Sequence, residues 1–506
     1  MKSAGSSLTV DRTLQTTARQ TLLVGLLAGA LKAAITLPFI ERYGWNRDEL
    51  YFLEAAKHPA LGYVDFPPLT AWIGWLVHAV AGNSLVGLRL TSLATSVAAI
   101  VLVALMAREL GGSRWAQGAA AGLFALTPYI LAASTIFHPT WFDMLAWTAL
   151  LYLVLRVLGR PEPRLWPLVG VVAGIGLEAK YTLAMLIIAL FAALLVTKSR
   201  SLLVTAGPLV AASLAFLLMV PNLVWQVMHG WPSVEFFESQ NEATRSDTSP
   251  ATYFGEQLMF FGLGLICVIV GVVWLWRRPR LRPLAIVPVL VFALYFLEGG
   301  RSYYPMPAYS LPLAAGCVAI TGWLRPRRWW KVGVVSALAL CQVGISAFAI
   351  PQVVPVKSTA EFARSSDTAI GILVDEIGWP ELTQQTARAW RRLTPAERSD
   401  AVVVAGNYGE AGALALYGPA QGLPQPLSGH LSWQYWRPRR LPQRHVIAVG
   451  WSYGGLGELC RSSRVVELIN NRWNIANEER GRTIAICELW HPLGEIWDED
   501  IARNEL

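Results

Sequence analysis

From residue 20 to residue 350 the chain is a succession of long apolar runs separated by short charged connections. A helix that crosses a bilayer needs about 20 apolar residues. On that measure the runs predict spans near residues 20 to 40, 85 to 107, 115 to 134, 141 to 156, 166 to 178, 181 to 197, 202 to 225, 257 to 276, 283 to 297, 306 to 323 and 331 to 350. The fifth and sixth are short enough to be tilted partners or a broken pair. Charged residues make up only 15% of the 506 positions, against roughly 25% in an ordinary soluble domain, so lipid solvates much of this chain. The expected fold is an α-helical polytopic membrane protein with about eleven transmembrane helices.

The basic residues test that threading. Arg108 and Arg114, then Arg156, Arg160 and Arg164, then Lys198 and Arg200, then Arg277, Arg278, Arg280 and Arg282, then Arg325, Arg327, Arg328 and Lys331 fall in alternate connections. With Lys2, Arg12 and Arg19 at the N-terminus they lie on one side, which the positive-inside bias makes the cytoplasm. The opposite connections hold Glu41, Asp48, Glu49, Glu54 and Asp65, then Glu235, Glu238, Glu242, Asp247 and Glu256. The same interruption of the basic residues into short clusters argues against nucleic acid as a partner, despite a net charge of +8. The run from Thr21 to Ile40 is too long for a signal peptide and lacks a small-residue cleavage site, so it reads as an uncleaved first helix. The expected location is the inner or plasma membrane, with the N-terminus cytoplasmic.

Residues 356 to 506 read differently. Short apolar stretches at Ala401 to Val404, Val446 to Val449 and Thr483 to Ile486 predict strands, and the pattern around Glu381 to Arg391 predicts a helix. The division is therefore a transmembrane domain over 1–355 and a small C-terminal α/β domain over 356–506, which an odd number of spans puts outside the cytoplasm. Cys460 and Cys487, the two cysteines of that domain, can pair there or stay as separate thiols. The Gly406 to Gly412 loop after the first strand has a phosphate-cradling look, but its spacing is not G-x-G-x-x-G and a plain strand-to-helix turn explains it as well. Residues 58 to 82, broken by Pro59, Pro67 and Pro68 and dotted with Trp72, Trp75 and His78, suit a helix lying along the outer membrane surface.

Four groups of outer residues could carry chemistry. Asp48 and Glu49 are adjacent carboxylates in front of Leu50-Tyr51-Phe52, able to deprotonate a hydroxyl or bind a cation, or simply to solvate a loop. Asp65 is in the same loop and either completes that site or caps the interfacial helix. His138 and Asp143 flank the start of an apolar span, where a carboxylate is expensive unless it faces a polar cavity, or is an N-cap. Lys180 and Tyr181 stand between the two short spans, and a buried lysine there calls for an anion. Arg301, Tyr303 and Tyr304 follow Glu298-Gly299-Gly300; Arg301 offers a planar fork to a phosphate or pairs with Glu298. Together these place carboxylates, Lys and Arg on one membrane face, as a lipid-phosphate-linked substrate requires.

At these residues the chain resembles the family 39 glycosyltransferases and their bacterial relatives, the protein O-mannosyltransferases and the lipid A aminoarabinose transferases, which share the GT-C membrane fold. Asp48-Glu49-Leu50-Tyr51-Phe52 is similar to the group's Asp-Glu motif after the first helix, and Gly62 to Pro68 to its Pro-Pro turn before the interfacial helix. Phe142-Asp143, Gly176 to Tyr181 and Gly299 to Tyr304 resemble later motifs in the same order, over about residues 20 to 325. The family often has Lys where this chain has Arg301. The resemblance implies transfer of a sugar from a polyprenyl-phosphate donor, with inversion, to a hydroxyl on a lipid, glycan or protein at the outer face, with Asp48 as base and cations on the phosphate. Glu49 and His138 could ligate a divalent cation of the kind some relatives bind; no cofactor is assigned. A lipid or glycan transporter or flippase without transferase activity is the rival reading, though it would carry ionisable residues deep in its spans and paired broken helices. A scaffold would leave the outer carboxylates and Arg301 without a role.

Overall fold

The computed structural model describes residues 17–160, 162–247, 249–324, 328–365, 371–441 and 444–505. Lys2, Arg12, Arg325, Arg327 and the side chain of Asp247 lie outside the described residues. In chain order the longer helices are α1 (Ala18–Thr36), α2 (Arg47–Lys57), α3 (Leu69–Ala81), α4 (Leu85–Glu109), α5 (Arg114–Ala125), α6 (Pro139–Gly159), α7 (Leu165–Ala179), α8 (Leu183–Leu195), α9 (Ala206–Met228), α10 (Pro232–Asp247), α11 (Pro250–Phe261), α12 (Gly264–Trp276), α13 (Arg282–Glu298), α14 (Ser310–Trp323) and α15 (Trp329–Val353). A helix stands at each of the eleven places where a span is expected. Among the described residues, five (α1, α4, α6, α9 and α15) are long and apolar enough to cross a membrane by length and composition. The pair α11 and α12 would make a sixth but bends by 98°.

Helix packing follows side-chain size. Gly271 of α12 and Gly316 of α14 lie against the backbone of Pro312 and Cys267, so neither position has room for a Cβ. Gly170 and Gly174 of α7 likewise meet Ala211 and Ala215 of α9. Such small-residue seams are how helices approach closely in lipid, where apolar area alone gives no preference for a neighbouring helix. Helix α4 packs between α1, α5 and α6. Its 25 residues make it about 37 Å long, with Arg89, which bonds Glu49, near one end and Arg108 at the other, so these carboxylate-linked and basic positions lie at opposite ends of α4.

At the carboxylate end, α2 and α3 lie outside the bundle proper. Trp75, Leu76 and Val80 of α3 are exposed, which fits a helix against the bilayer surface. Asp65 does not cap α3; the N-cap is Pro68, without a side-chain bond.

The C-terminal residues form a five-stranded sheet in the order β2-β1-β3-β5-β4, built from β1 (Ala401–Ala405), β2 (Leu427–Ser428), β3 (His445–Trp451), β4 (Cys460–Leu468) and β5 (Thr483–Leu489). β1 runs parallel to β2 and β3, while β5 is antiparallel to both β3 and β4. Helices α16 (Trp379–Arg391) and α17 (Tyr408–Tyr417) cover it. Cys460 and Cys487 are joined as a disulfide between β4 and β5, with Cα atoms 5.7 Å apart. The Gly406 to Gly412 loop is a turn into α17: the Glu410 carboxylate accepts the Gly406 and Asn407 N–H groups at 3.0 and 3.1 Å. Those donors are spent on the protein's own carboxylate, which leaves the loop no phosphate cradle.

Candidate active site

The site is made where helix ends meet. Asn46 opens α2 with a capping box: its side chain accepts the Asp48 N–H at 3.0 Å, and Glu49 Oε2 accepts the Asn46 N–H at 2.9 Å. Neighbouring residues on a helix point about 100° apart, and here that angle separates the two carboxylates. Glu49 turns inward and is fully buried. Arg89 donates to it from Nε and Nη2 at 2.8 and 2.7 Å, and the Phe137 N–H donates at 2.7 Å. Arg89, also fully buried, bonds the Ile40 and Gly44 carbonyls and reaches Glu376 Oε1 at 3.2 Å. Burial, against the pull of Arg89, pushes Glu376 up to about 8. Within the triad the guanidinium makes two bonds to Glu49 and one longer contact to Glu376.

In the structure Glu49 therefore points away from Asp48 and into the protein. Both its oxygens are taken, and a carboxylate so placed ties α2, α4 and the 133–138 connection together.

Asp48 turns the other way and keeps 31% of its side-chain surface exposed. Oδ1 accepts the Tyr408 hydroxyl at 2.9 Å. Oδ2 lies 3.6 Å from His138 Nε2. His138 is the N-cap of α6 and its Nδ1 accepts the Thr140 N–H at 3.1 Å, which fixes the proton on Nε2. Burial holds the imidazole down at about 4, although the Asp48 charge works in the other direction. The ring is therefore neutral at physiological pH. Asp65 lies close behind: Tyr51 donates to its Oδ1 at 2.7 Å, and burial, with the charge of Asp48 adding, pushes it up to about 7.

Two cations act on His138 beside this carboxylate. Lys180, the C-cap of α7, donates to Thr140 Oγ1 at 3.1 Å and sits over the rings of Tyr304 and Tyr303 at 4.6 and 5.6 Å. Arg301 is exposed, and the Tyr303, Tyr304, Asp48 and Tyr408 side chains favour its charged form, Tyr303 most. Its charge and that of Lys180 are both felt at His138. Among the described residues neither cation is ion-paired with a carboxylate. Glu298 instead faces Arg245, whose charge it feels.

Asp143 is not an N-cap, since α6 begins at Pro139. It is buried and accepts from Trp147 Nε1 at 2.9 Å and Thr182 Oγ1 at 2.7 Å. Tyr181 faces away from Lys180, donating to Asn222 Oδ1 at 3.1 Å and accepting from Gln226 at 3.2 Å. Tyr304 donates to Gln240 at 2.9 Å. The described residues contain no group of three His, Cys, Asp or Glu side chains arranged to hold a metal ion, and both Glu49 oxygens accept from Arg89. A cavity of about 690 Å³ among the C-terminal residues, lined by Arg437, Arg439, Glu495 and Asp498 among others, contains none of the side chains that contact Asp48.

Sequence reasoning missed Arg89, Glu376 and Tyr408. Arg89 carried a signal: an arginine inside an apolar run calls for a buried carboxylate partner.

The architecture has solved counterparts. ArnT from Cupriavidus metallidurans, crystallised with undecaprenyl phosphate, superposes with a TM-score of 0.52 at 15% identity over 92% of this chain and 97% of that one. The chain has the GT-C fold. An oligosaccharyltransferase from Archaeoglobus fulgidus, another GT-C protein, matches with a TM-score of 0.53 at 12% identity, covering 84% of this chain and 68% of the other. At the level of sequence, residues 65–225 match the family described as dolichyl-phosphate-mannose-protein mannosyltransferase. The lipopolysaccharide core galacturonosyltransferase RgtA of Rhizobium johnstonii is 26% identical over 282 residues, which are 54% of this chain. The match spans about half of that relative's length, 51%. His138, Asp143, Lys180 and Tyr181 fall inside the family match; Asp48, Arg301 and the C-terminal sheet of this GT-C chain do not.

Proposed function

We propose that the protein is a membrane glycosyltransferase that moves a sugar from a polyprenyl-phosphate donor to a hydroxyl of a lipid, glycan or protein at the outer membrane face, inverting the anomeric carbon. The observation that carries this reading is the convergence of a carboxylate with an exposed edge, Asp48, and two cations, Lys180 and Arg301, that form no ion pair with a carboxylate among the described residues. Asp48 Oδ2 takes the proton of the acceptor hydroxyl. The freed oxygen attacks the anomeric carbon from the face opposite the phosphate, and the sugar–oxygen bond breaks with its electron pair passing to the phosphate. The departing polyprenyl phosphate gains negative charge as it leaves, and Arg301 and Lys180 stabilise that charge. Neutral His138 supports the base from one side and Tyr408 from the other. Asp65, Asp143, Tyr181, Tyr303 and Tyr304 shape the walls, and Glu49 holds the frame. Fold neighbours and relatives named for lipid-phosphate or sugar-transfer chemistry support the class; the sugar is left open. The transporter reading leaves the free edge of Asp48 unused.

Arg301 distinguishes a phosphate-binding site from a plain surface charge. If its guanidinium grips the donor phosphate, Arg301→Ala weakens donor binding or slows transfer by about 1.5 to 3 kcal/mol, the worth of a hydrogen bond to a charged group. Arg301→Lys recovers part of that, because the charge stays while the fork is lost. Glu298→Ala changes little, about 0 to 1 kcal/mol for an exposed pair. Donor-dependent rates for the three variants decide, and equal mild losses for Arg301→Ala and Glu298→Ala would remove the phosphate role.

The orientation belongs to the same proposal. The arginine-rich connections on the far side support a cytoplasmic N-terminus, and the Cys460–Cys487 bridge supports an oxidising compartment for residues 356–506 as an extracytoplasmic domain. Alkaline phosphatase fused to the C-terminus is expected to be active in cells and a fluorescent protein fused there to be dark; the reverse pattern overturns the topology.

A further inference from the structure

We infer that Tyr408 is a positioning residue for Asp48, so that the reaction site is completed by the C-terminal domain. This rests on the reading of Asp48 as the base. Asp48 and Tyr408 are 360 positions apart, and their 2.9 Å hydrogen bond is a direct link between the membrane bundle and the C-terminal sheet. Tyr408 is the first residue of α17, with Asn407 as N-cap. Its N–H donates to His430 Nδ1 at 3.3 Å, and its ring is packed between those of Tyr51 and His430, 5.0 and 5.2 Å away, under the Arg47 guanidinium. The ring is thus held on several sides, and its hydroxyl has a fixed direction. Burial and the nearby Asp48 charge keep that hydroxyl protonated, hence a donor.

The seating of α17 is a close fit of its own. Gly409 lies against Arg47 and Gly412 against the backbone of Leu50, where any Cβ would collide. These glycines are three apart, on one face of α17, and α2 fills that face. Arg47 also pairs with Glu478 and Glu479. A second polar path runs beside the first: the Ser432 N–H donates to the Tyr51 hydroxyl at 3.1 Å, and Tyr51 donates to Asp65. Two acids of the outer loop therefore take their orientation from groups in the C-terminal domain. With Oδ1 held by Tyr408, Oδ2 is the oxygen left for an acceptor hydroxyl.

Tyr408→Phe keeps the ring and removes only the donor. The charged and titratable groups that face Asp48 are His138, Arg301, Tyr408, Asp65 and Asp375; of these the substitution alters one. A hydrogen bond to the charged carboxylate favours the charged form, and the substitution removes that bond. In purified full-length protein supplied with undecaprenyl-phosphate-linked mannose and galacturonic acid, kcat should fall about ten- to hundredfold. The donor KM should stay near wild type, and the acid limb of the kcat profile should move up by about one pH unit. A substrate-free arm reads the same carboxyl: the pH midpoint at which a carbodiimide labels Asp48, followed by mass spectrometry, should rise in Tyr408→Phe. An unshifted labelling midpoint overturns the inference, whether or not either donor is turned over. So does a rate loss that is equal at every pH, which a purely structural role would give. If Asp48→Asn is inactive while Tyr408→Phe matches wild type, the positioning role fails and the base survives. If Asp48→Asn is active, the base reading fails and this inference with it.

Discussion

Asp48→Asn is expected to lower transfer by about 10² to 10⁴, the usual loss when a general base is removed, and to leave the thermal midpoint nearly unchanged. The second half of that expectation is structural. Asp48 is partly exposed, and the Tyr408 hydroxyl that donates to Oδ1 can donate equally to an Asn carbonyl. The capping of α2 uses the Asp48 backbone N–H and the Asn46 and Glu49 side chains, none of which changes. The cost in stability should then be within about 0.5 kcal/mol, as for surface substitutions generally. What Asn cannot do is accept the acceptor's proton. Retention of more than half of the wild-type rate would remove Asp48 from the role of base.

Arg89→Ala is expected to act in the opposite way, through the fold. Its guanidinium satisfies Glu49 through two bonds, reaches Glu376 and caps two carbonyls at the end of the first connection. Removing one member of a buried pair leaves its partner charged and unpaired, which costs about 3 to 5 kcal/mol. Here the orphan would be Glu49, whose bond to the Phe137 N–H also sets the approach of His138 to Asp48. The variant should unfold at markedly lower temperature or denaturant and yield little stable protein, and whatever folds should transfer poorly. Replacing Arg89 and Glu49 together with Met and Gln should recover much of the stability, because no uncompensated charge remains. A loss below about 1 kcal/mol for Arg89→Ala, in the range of exposed pairs, would show that the triad does not hold the site together.

Where the sequence was legible, the reason is local. Apolar runs mark the helices because lipid demands them, and Ala401 to Val404 and Val446 to Val449 read as strands because both faces of a central strand are buried. β4, Cys-Arg-Ser-Ser-Arg-Val-Val-Glu-Leu, is an edge strand with mostly exposed positions, and no periodic apolar signal announces it. Asp48 and Glu49 look equivalent in the sequence, and only the helix that begins at Arg47 turns one outward and the other inward. Lys32, fully buried in α1, donates to the Ala133 carbonyl at 2.7 Å and to Ser134. As with Arg89, its place within an apolar run hinted at a partner but not at which one. Tyr408 had no such hint. An aromatic after a strand-to-helix turn is ordinary, and its value comes from a contact made across 360 positions.

Transfer from a lipid phosphate is tested most directly by the release of undecaprenyl phosphate by purified protein. The protein would be incubated with undecaprenyl-phosphate-linked sugars, mannose and galacturonic acid first, in the presence of cell-envelope glycolipid from a strain lacking it. Undecaprenyl phosphate is expected to appear together with sugar-extended acceptor, in equal amounts, and Asp48→Asn is expected to abolish both. Acceptor-dependent movement of the intact lipid-linked sugar between leaflets, with no undecaprenyl phosphate released, would contradict that transfer.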